Sequence, residues 1–281
     1  MNITFSDDLH DWKIATRFEH GMRYHDLPRG TQCWKPVEKL GEGTCGEVWK
    51  EQCLSGTSSS SSIFRAVKYL PKRKGSFAKS SRREIKALTT FSDDRVVEHG
   101  NLQQHIDQGC IPEPEAASIT AQIARALLHM HTRSLVHRDL KPLNILVSQP
   151  GPTWHVKVAD FGITRDLSDT VAGTHQIGTF GYMAPELWHT SERYTSAVDV
   201  WALGAITFCM RTGSPPFPNP ITLANYPEDP TVFPTLKLRS STQPCRGFIT
   251  GAMAAIPQER LTIIEAVGHY WLSRDMNVSK R

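Results

Sequence analysis

Strand-type patterning in the first part of the chain and helix-type patterning in the rest constrain the fold most. Residues 34–50 read as two strands joined by a glycine turn, because glycine accepts backbone angles that other residues resist, and they predict a β-hairpin. Apolar residues between 114 and 132 recur every three or four positions, which predicts a helix. The apolar run 200–210 has 11 residues, too few to span a membrane, and predicts a buried helix. The chain is therefore predicted to have an α+β fold.

Further elements fit between these. The low-complexity segment 55–62 predicts a loop between strands. The segment 80–91 begins with serines placed to cap a helix, which predicts a short helix carrying Glu84. Short strands are predicted at 135–137, 145–147 and 154–160.

The glycine turn has the sequence GEGTCGEV, residues 41–48. Alone, this pattern indicates phosphate binding no more than it indicates a tight hairpin, because both use the same glycines. Lys68 follows in the apolar stretch AVK, where a lone lysine needs a charged partner. Glu84 is the candidate for that partner.

Two polar motifs follow the predicted helix. HRDLKPLN, residues 137–144, contains an aspartate, a lysine and an asparagine, and DFG, residues 160–162, ends a strand. Carboxylate and amide oxygens suit magnesium, which keeps waters and takes further ligands from phosphate groups. Phosphoryl transfer requires positioning, charge neutralisation and an acceptor for the nucleophile's proton, and these residues can supply all three.

With these motifs, the chain resembles the eukaryotic protein kinase family over about residues 34–272. GEGTCGEV is similar to its glycine-rich loop, AVK to its strand lysine, HRDLKPLN to its catalytic loop and DFG to its metal motif. APE at 184–186, DVWALG at 199–204 and Arg260 extend the resemblance. In such kinases this arginine pairs with the APE glutamate. The resemblance implies a two-lobed fold, with a small strand-rich N-lobe and a large helical C-lobe.

The resemblance also implies roles for individual residues. Asp139 would accept the hydroxyl proton and Lys141 would steady the γ-phosphate of ATP, while Asn144 and Asp160 would hold Mg²⁺. Lys68 would hold the α- and β-phosphates. The implied ATP-binding set is Gly41, Glu42, Gly43, Gly46, Val48, Lys68 and Glu84.

A lysine two positions after the catalytic aspartate, together with GTFGYMAPE, is similar to the serine/threonine branch of the family, so we expect protein substrates that carry Ser or Thr. Arg138 is typical of kinases whose activation loop becomes ordered on phosphorylation, because the phosphate needs a cationic partner. Thr174 is the first candidate for that modification and Thr170 the second, with an activating kinase as the implied partner; ordinary loop hydroxyls remain the alternative.

One segment departs from the family pattern. Only SDDRVV separates Phe91 from Glu98, where the family has two strands and a hinge. Six residues are too few for two strands of ordinary length. We therefore predict a shortened N-lobe. The predicted divisions are an N-terminal extension at 1–33, the N-lobe at 34–98, the C-lobe at 99–272 and a tail at 273–281.

Three interpretations remain open at the level of sequence. The first is a protein serine/threonine kinase, since every polar catalytic residue is present. The second is a pseudokinase or nucleotide-binding regulatory module, which the missing strands favour. The third is an inactive truncated kinase product that lacks an exon.

Composition limits the expected partners and location. The net charge of +4 is too small to indicate nucleic acid, so we predict no nucleic-acid partner, and we predict no membrane association either. The N-terminus lacks the basic-then-apolar pattern of a secretory signal, so we expect an intracellular, cytoplasmic protein. Basic residues at 72–74 and 82–83 leave a nuclear location open.

Overall fold

A computed structural model describes residues 15–27, 30–43, 46–55, 64–69, 99–160, 165–166, 179–189 and 195–273. The chain divides into two compact units, Met1–Ala78 and Lys79–Arg281. The first contains a β-sheet and the second is mainly helical, which confirms the α+β class. The predicted helix with Glu84 and the shortened segment after it lie outside the described residues, so the predicted N-lobe boundary at residue 98 stays a prediction.

Five antiparallel strands, in the order of the sequence, form the sheet of the first unit. They are β1 (Ala15–Glu19), β2 (Met22–Leu27), β3 (Gly30–Gly43), β4 (Gly46–Cys53) and β5 (Phe64–Tyr69). The β3–β4 hairpin confirms the hairpin predicted at 34–50. Strand β5 follows the low-complexity segment, as predicted.

Strands β1 and β2 lie in the segment 1–33, which was predicted to be an N-terminal extension. In the structure β2 pairs with β3 from Arg23 opposite Trp34 to Leu27 opposite Gly30, so this part of the extension belongs to the sheet. The segments ATRFE and MRYHDL mix charged and apolar residues without clean alternation, and the sequence therefore gives little signal for strands here. The two added strands extend the sheet on the side away from β5.

A buried ion pair connects β2 with β4. Glu51 on β4 is fully buried, and its Oε1 lies 3.3 Å from a guanidinium nitrogen of Arg23. Trp34 of the intervening strand β3 is also buried. An uncompensated buried charge is costly, so Arg23 stabilises Glu51 inside the sheet. Strands β1 and β2, here called the N-terminal hairpin, therefore contribute to the stability of the sheet through Arg23.

The described part of the second unit contains α-helices and short strand pairs. The helices are α1 (Leu102–Ile106), α2 (Glu113–His131), α3 (Glu186–His189), α4 (Ala197–Thr212), α5 (Pro220–Asn225), α6 (Gln243–Ala252), α7 (Ile263–Gly268) and α8 (Tyr270–Ser273). Strand β6 (Leu135–Val136) pairs with β9 (Arg165–Asp166), and β7 (Ile145–Gln149) pairs with β8 (His155–Val158). Short 3-10 helices span Pro142–Asn144, Pro230–Val232 and Thr235–Leu238. Strands β6, β7 and β8 confirm the short strands predicted at 135–137, 145–147 and 154–160.

Helix α4 lies at the centre of the second unit. Every residue from 198 to 210 is buried, which confirms the buried helix predicted from the apolar run. Helix α2 packs against α4 and against β8, and confirms the helix predicted at 114–132. Helix α4 is capped at its C-terminal end by Gly213, whose φ of 76° favours glycine and whose N–H donates to Cys209 O. None of the helices in the described ranges is both long and apolar enough to span a bilayer.

Candidate active site

Asp139 lies between β6 and the 3-10 helix Pro142–Asn144, and two side chains hold its carboxylate. Lys141 Nζ donates to Oδ2 at 2.7 Å, and Thr179 Oγ1 donates to Oδ1 at 2.9 Å. Lys141 Nζ also donates to Thr179 Oγ1 at 2.6 Å, which closes a triangle of hydrogen bonds. The side chains of Asp139 and Lys141 keep 16% and 17% of their exposure, so the carboxylate is held in place but can still be reached.

Asn144 fixes the same loop from the other side. Its Nδ2 donates to the backbone oxygen of Asp139 at 2.8 Å and lies 3.4 Å from Asp139 Oδ2. Because the amide nitrogen is engaged with Asp139, the amide oxygen is the atom of Asn144 that suits a cation.

Asp199, near the start of α4, holds the backbone of the loop that carries Asp139. Its two carboxylate oxygens accept the N–H groups of His137 at 2.8 Å and Arg138 at 2.9 Å. His131 Nε2 lies 2.9 Å from Oδ2. Arg138 has a φ of 73°, a conformation that costs about 1–3 kcal/mol in a residue other than glycine. Asp199 therefore stabilises a strained backbone immediately before Asp139.

The pKa of Asp199 lies below its usual value of 3.8. Burial alone would raise it, but the hydrogen bond and charge of His131, the charge of His137 and the N–H of Arg138 outweigh burial. The carboxylate is therefore ionised at neutral pH, as its two backbone bonds require.

The predicted metal ligands Asn144 and Asp160 lie at the same end of the β7–β8 pair. Ile145 is opposite Val158, and Ala159 N–H donates to Asn144 O at 2.8 Å, so Asp160 is one residue beyond the partner of Asn144. Asp160 is exposed and has a φ of 61°. One amide oxygen and one carboxylate, both oxygen donors, fit the sparse protein ligation that Mg²⁺ accepts when phosphate oxygens complete its shell.

The predicted phosphate-binding residues of the first unit lie on consecutive strands. The β3–β4 hairpin pairs Gly41 with Val48, Glu42 with Glu47 and Gly43 with Gly46, while the tip, 44–45, lies outside the described residues. Lys68 on β5 is the cross-strand neighbour of Val48 on β4. Glu84, its predicted partner, lies outside the described residues.

A buried arginine fixes the segment that follows Thr179. Arg260 donates to the two carboxylate oxygens of Glu186 at 2.7 and 2.9 Å, which confirms the pairing that the family resemblance implied. It also donates to the backbone oxygens of Ala197 and Ala254 and lies 5.1 Å from the ring centroid of Trp201. Such a bidentate pair gives the start of α3 a defined position.

Of the candidate regulatory residues, Arg138 is the one that lies within the described part of the chain. Arg138 is 5% exposed and its backbone is bound by Asp199. Thr170 and Thr174 lie outside the described residues.

Thr179 lies within GTFGYMAPE and Asp199 within DVWALG, but no role was predicted for either residue from the sequence. Asp199 carries a readable signal, since a single carboxylate at the start of an apolar run must find partners if the run is buried. Thr179 carries no such signal, because a hydroxyl in a glycine-containing loop is ordinary.

A carboxylate held by a lysine, with two candidate oxygen ligands at the same end of the β7–β8 pair, suits an enzyme that transfers phosphoryl groups by positioning and charge. The family model described as "Protein kinase domain" matches residues 94–272, more than half of the chain, and the chain belongs to that family. The family uses ATP and Mg²⁺ and acts on protein substrates.

Similar proteins refine this assignment. Calcium/calmodulin-dependent protein kinase type 1B of Rattus norvegicus is 32% identical over 271 residues, which cover 85% of this chain and 74% of that protein. Serine/threonine-protein kinase 36 of Pongo abelii is 30% identical over 269 residues, 86% of this chain but 19% of that protein. Serine/threonine-protein kinase TIO of Arabidopsis thaliana is 30% identical over 259 residues, 83% of this chain and 18% of that protein. The chain is an ATP-dependent protein serine/threonine kinase, and the pseudokinase alternative is not favoured.

The extent of these alignments bears on the first unit. The family match begins only at residue 94, yet 85% of the chain aligns with the rat kinase, which requires residues before 94 as well. The alignment has 271 positions but includes only 85% of the 281 residues of this chain. Some residues of the rat kinase are therefore aligned with gaps in this chain.

Proposed function

We propose that Asp139 accepts the proton of a serine or threonine hydroxyl while that hydroxyl attacks the γ-phosphorus of ATP. The observation that carries this proposal is the triangle formed by Asp139, Lys141 and Thr179. Thr179 already donates its hydroxyl to Asp139 Oδ1, which is the kind of bond that a substrate hydroxyl would make.

In the proposed reaction the substrate oxygen forms a bond to the γ-phosphorus, and the bond from that phosphorus to the bridging oxygen of the β-phosphate breaks. The hydroxyl proton passes to Asp139, and ADP leaves. Lys141 keeps its positive charge beside Asp139 and stabilises the negative charge of the transferred group.

Asn144 and Asp160 are the proposed ligands of Mg²⁺, which when bound neutralises phosphate charge. Asn144 serves through its amide oxygen, because its Nδ2 is engaged by Asp139. Asp160 serves through its carboxylate. Gly41, Gly43, Gly46 and Lys68 are the proposed phosphate contacts in the first unit.

We also propose that phosphorylation of Thr174, or of Thr170, by an activating kinase places a phosphate against Arg138. The backbone of Arg138 is held by Asp199, so the residue that carries the guanidinium has a fixed position next to Asp139. An intracellular, cytoplasmic location is part of the proposal and is supported by the sequence alone.

The test of this function is phosphate transfer from labelled Mg·ATP to a generic Ser/Thr protein substrate. The unmodified chain is compared with Asp139→Asn and with Asp229→Asn, a matched change at an exposed aspartate that caps a 3-10 helix. We expect transfer by the unmodified chain and by Asp229→Asn, and none by Asp139→Asn. Binding of Mg·ATP without transfer by folded, unmodified chain would replace this function with that of a nucleotide-binding module.

A further inference from the structure

Gln122 on α2 holds strand β8 along the edge that β7 does not occupy. Gln122 Nε2 donates to Trp154 O at 2.9 Å, and Gln122 Oε1 accepts the N–H of Val156 at 3.0 Å. A neighbouring strand makes the same type of paired bonds with backbone groups on one edge. The Gln122 side chain therefore takes the place of a strand partner for β8.

A second side chain of α2 anchors the turn that precedes β8. Glu115 Oε2 accepts a hydrogen bond from the indole Nε1 of Trp154 at 2.5 Å. The ring of Trp154 is buried and makes an edge contact with His105 of α1, with ring centroids 5.1 Å apart. A Cβ at Gly151 would meet Glu115 Oε2 and the indole of Trp154, so a larger residue there would displace the Glu115–Trp154 contact. The start of β8 is thus fixed by α2 at two positions.

The β7–β8 pair does not fix this end of β8 by itself. Val147 is opposite Val156 while Gln149 is opposite His155, so a bulge leaves Ser148 as an extra residue on β7. A slip of one residue at such an irregularity would turn the side chains of β8 over and move its far end by about 3.3 Å. Gln122 bonds the residues on both sides of His155, which is where the irregularity lies.

The far end of β8 leads directly to Asp160. The pairs that follow the bulge bring Val158 opposite Ile145, and this sets Asp160 near Asn144. We infer that Gln122 is a positioning residue for the metal site: by fixing the register of β8, it sets the place of Asp160 relative to Asn144. This inference rests on the proposed function, in which these two residues hold Mg²⁺.

The test replaces Gln122 with methionine, which keeps the length of the side chain and removes both bonds to β8. The matched control is Glu113→Met on the same helix, because Glu113 bonds Thr242 and Trp271 of other elements and not β8. We expect Gln122→Met to raise the Mg²⁺ concentration for half-maximal transfer about tenfold, the lower end of the effect of losing a supporting bond at a metal site. Glu113→Met lowers the midpoint of urea unfolding but leaves the Mg²⁺ dependence unchanged.

A second readout does not depend on turnover. Binding of Mn²⁺ is measured by electron paramagnetic resonance in the presence of a non-hydrolysable ATP analogue, and hydrogen exchange is followed in the peptide 155–160. Gln122→Met is expected to weaken Mn²⁺ binding about tenfold and to speed exchange at Val156, whose N–H loses its acceptor. If Gln122→Met does not fold, Glu115→Met tests the other anchor and should shift Mn²⁺ binding in the same direction.

The outcomes separate this inference from the proposed function. Transfer by the unmodified chain, with Mg²⁺ dependence and Mn²⁺ binding unchanged in Gln122→Met, overturns the inference and leaves the function standing. Absence of transfer, with Mn²⁺ binding weakened in Gln122→Met, removes the proposed function and supports the positioning role. An unmodified chain that neither transfers phosphate nor binds Mn²⁺ overturns both.

Discussion

A single hydroxyl connects the two charged groups of the triangle formed by Asp139, Lys141 and Thr179. Thr179 donates to Asp139 and accepts from Lys141, so replacing it removes one hydrogen bond from each of these residues. We expect Thr179→Val to lower kcat about 100-fold, because a small displacement of a reacting group has an effect of that size. Thr179→Ser keeps the hydroxyl and should stay close to the unmodified rate. Steady-state kinetics in ATP and protein substrate provide the measurement, and equal rates for Val and Ser would contradict the role of the hydroxyl.

Asp199 gives the chain a pH dependence whose sign can be worked out. Its pKa in the folded chain is below the usual 3.8, so its contribution to stability is present above that value and is lost as pH falls through the folded pKa. Asp199→Asn is expected to lower the free energy of unfolding at pH 7 by about 3–5 kcal/mol, since it removes the charged partner of a buried network.

Urea unfolding at pH 7, 5 and 3 checks this prediction. The difference between the unmodified chain and Asp199→Asn should be constant from pH 7 to 5 and should shrink toward pH 3. A difference that stays the same down to pH 3 would show that the charge of Asp199 does not contribute.

At the residue scale, the sequence predicts the proximity of side chains within one short motif better than that of side chains far apart in sequence. Asp139, Lys141 and Asn144 lie within six residues, so a loop of any compact shape brings them close. Thr179 and Asp199 reach the same loop across 40 and 61 or more residues. No local pattern encodes such distances, although the isolated charge of Asp199 in an apolar run indicates that it must find a partner.

At the scale of elements, the N-terminal hairpin offers a direct test. Removing residues 1–29 deletes β1 and β2, exposes the edge of β3 and takes Arg23 from Glu51. We expect the shortened chain to be cleaved faster in the first unit by limited proteolysis, because a long unpaired edge and a buried charge without this partner both destabilise the sheet. A chain that lacks only residues 1–14 keeps both strands and is the control. Equal cleavage of the two shortened chains would contradict a stabilising role for the hairpin.

The same hairpin shows why elements differ in how well the sequence predicts them. Helix α2 is long enough for its apolar residues to repeat several times, and α4 contains an uninterrupted apolar run, so both lie close to their predicted positions. Strands β1 and β2 have five and six residues and pair mainly through their backbones, which leaves little trace in side-chain pattern. The hydrogen bonds from Gln122 to β8 could not be predicted for a related reason. A single glutamine side chain that pairs with a strand edge leaves no strand pattern in the sequence.

At the scale of the whole molecule, binding of ATP and its turnover should be separable by two substitutions. Mg·ATP at ten times its Kd stabilises a chain by about 1.4 kcal/mol, which corresponds to a rise in Tm of about 2–3 °C for a protein of this size. We expect Asp139→Asn to keep that rise while losing transfer, because Asp139 is proposed to act on the hydroxyl and not on the nucleotide. Lys68→Met should lose both, because Lys68 is the proposed contact to the α- and β-phosphates. Differential scanning fluorimetry with and without Mg·ATP measures the shift, and a full shift in Lys68→Met would mean that ATP is held without the β5 lysine.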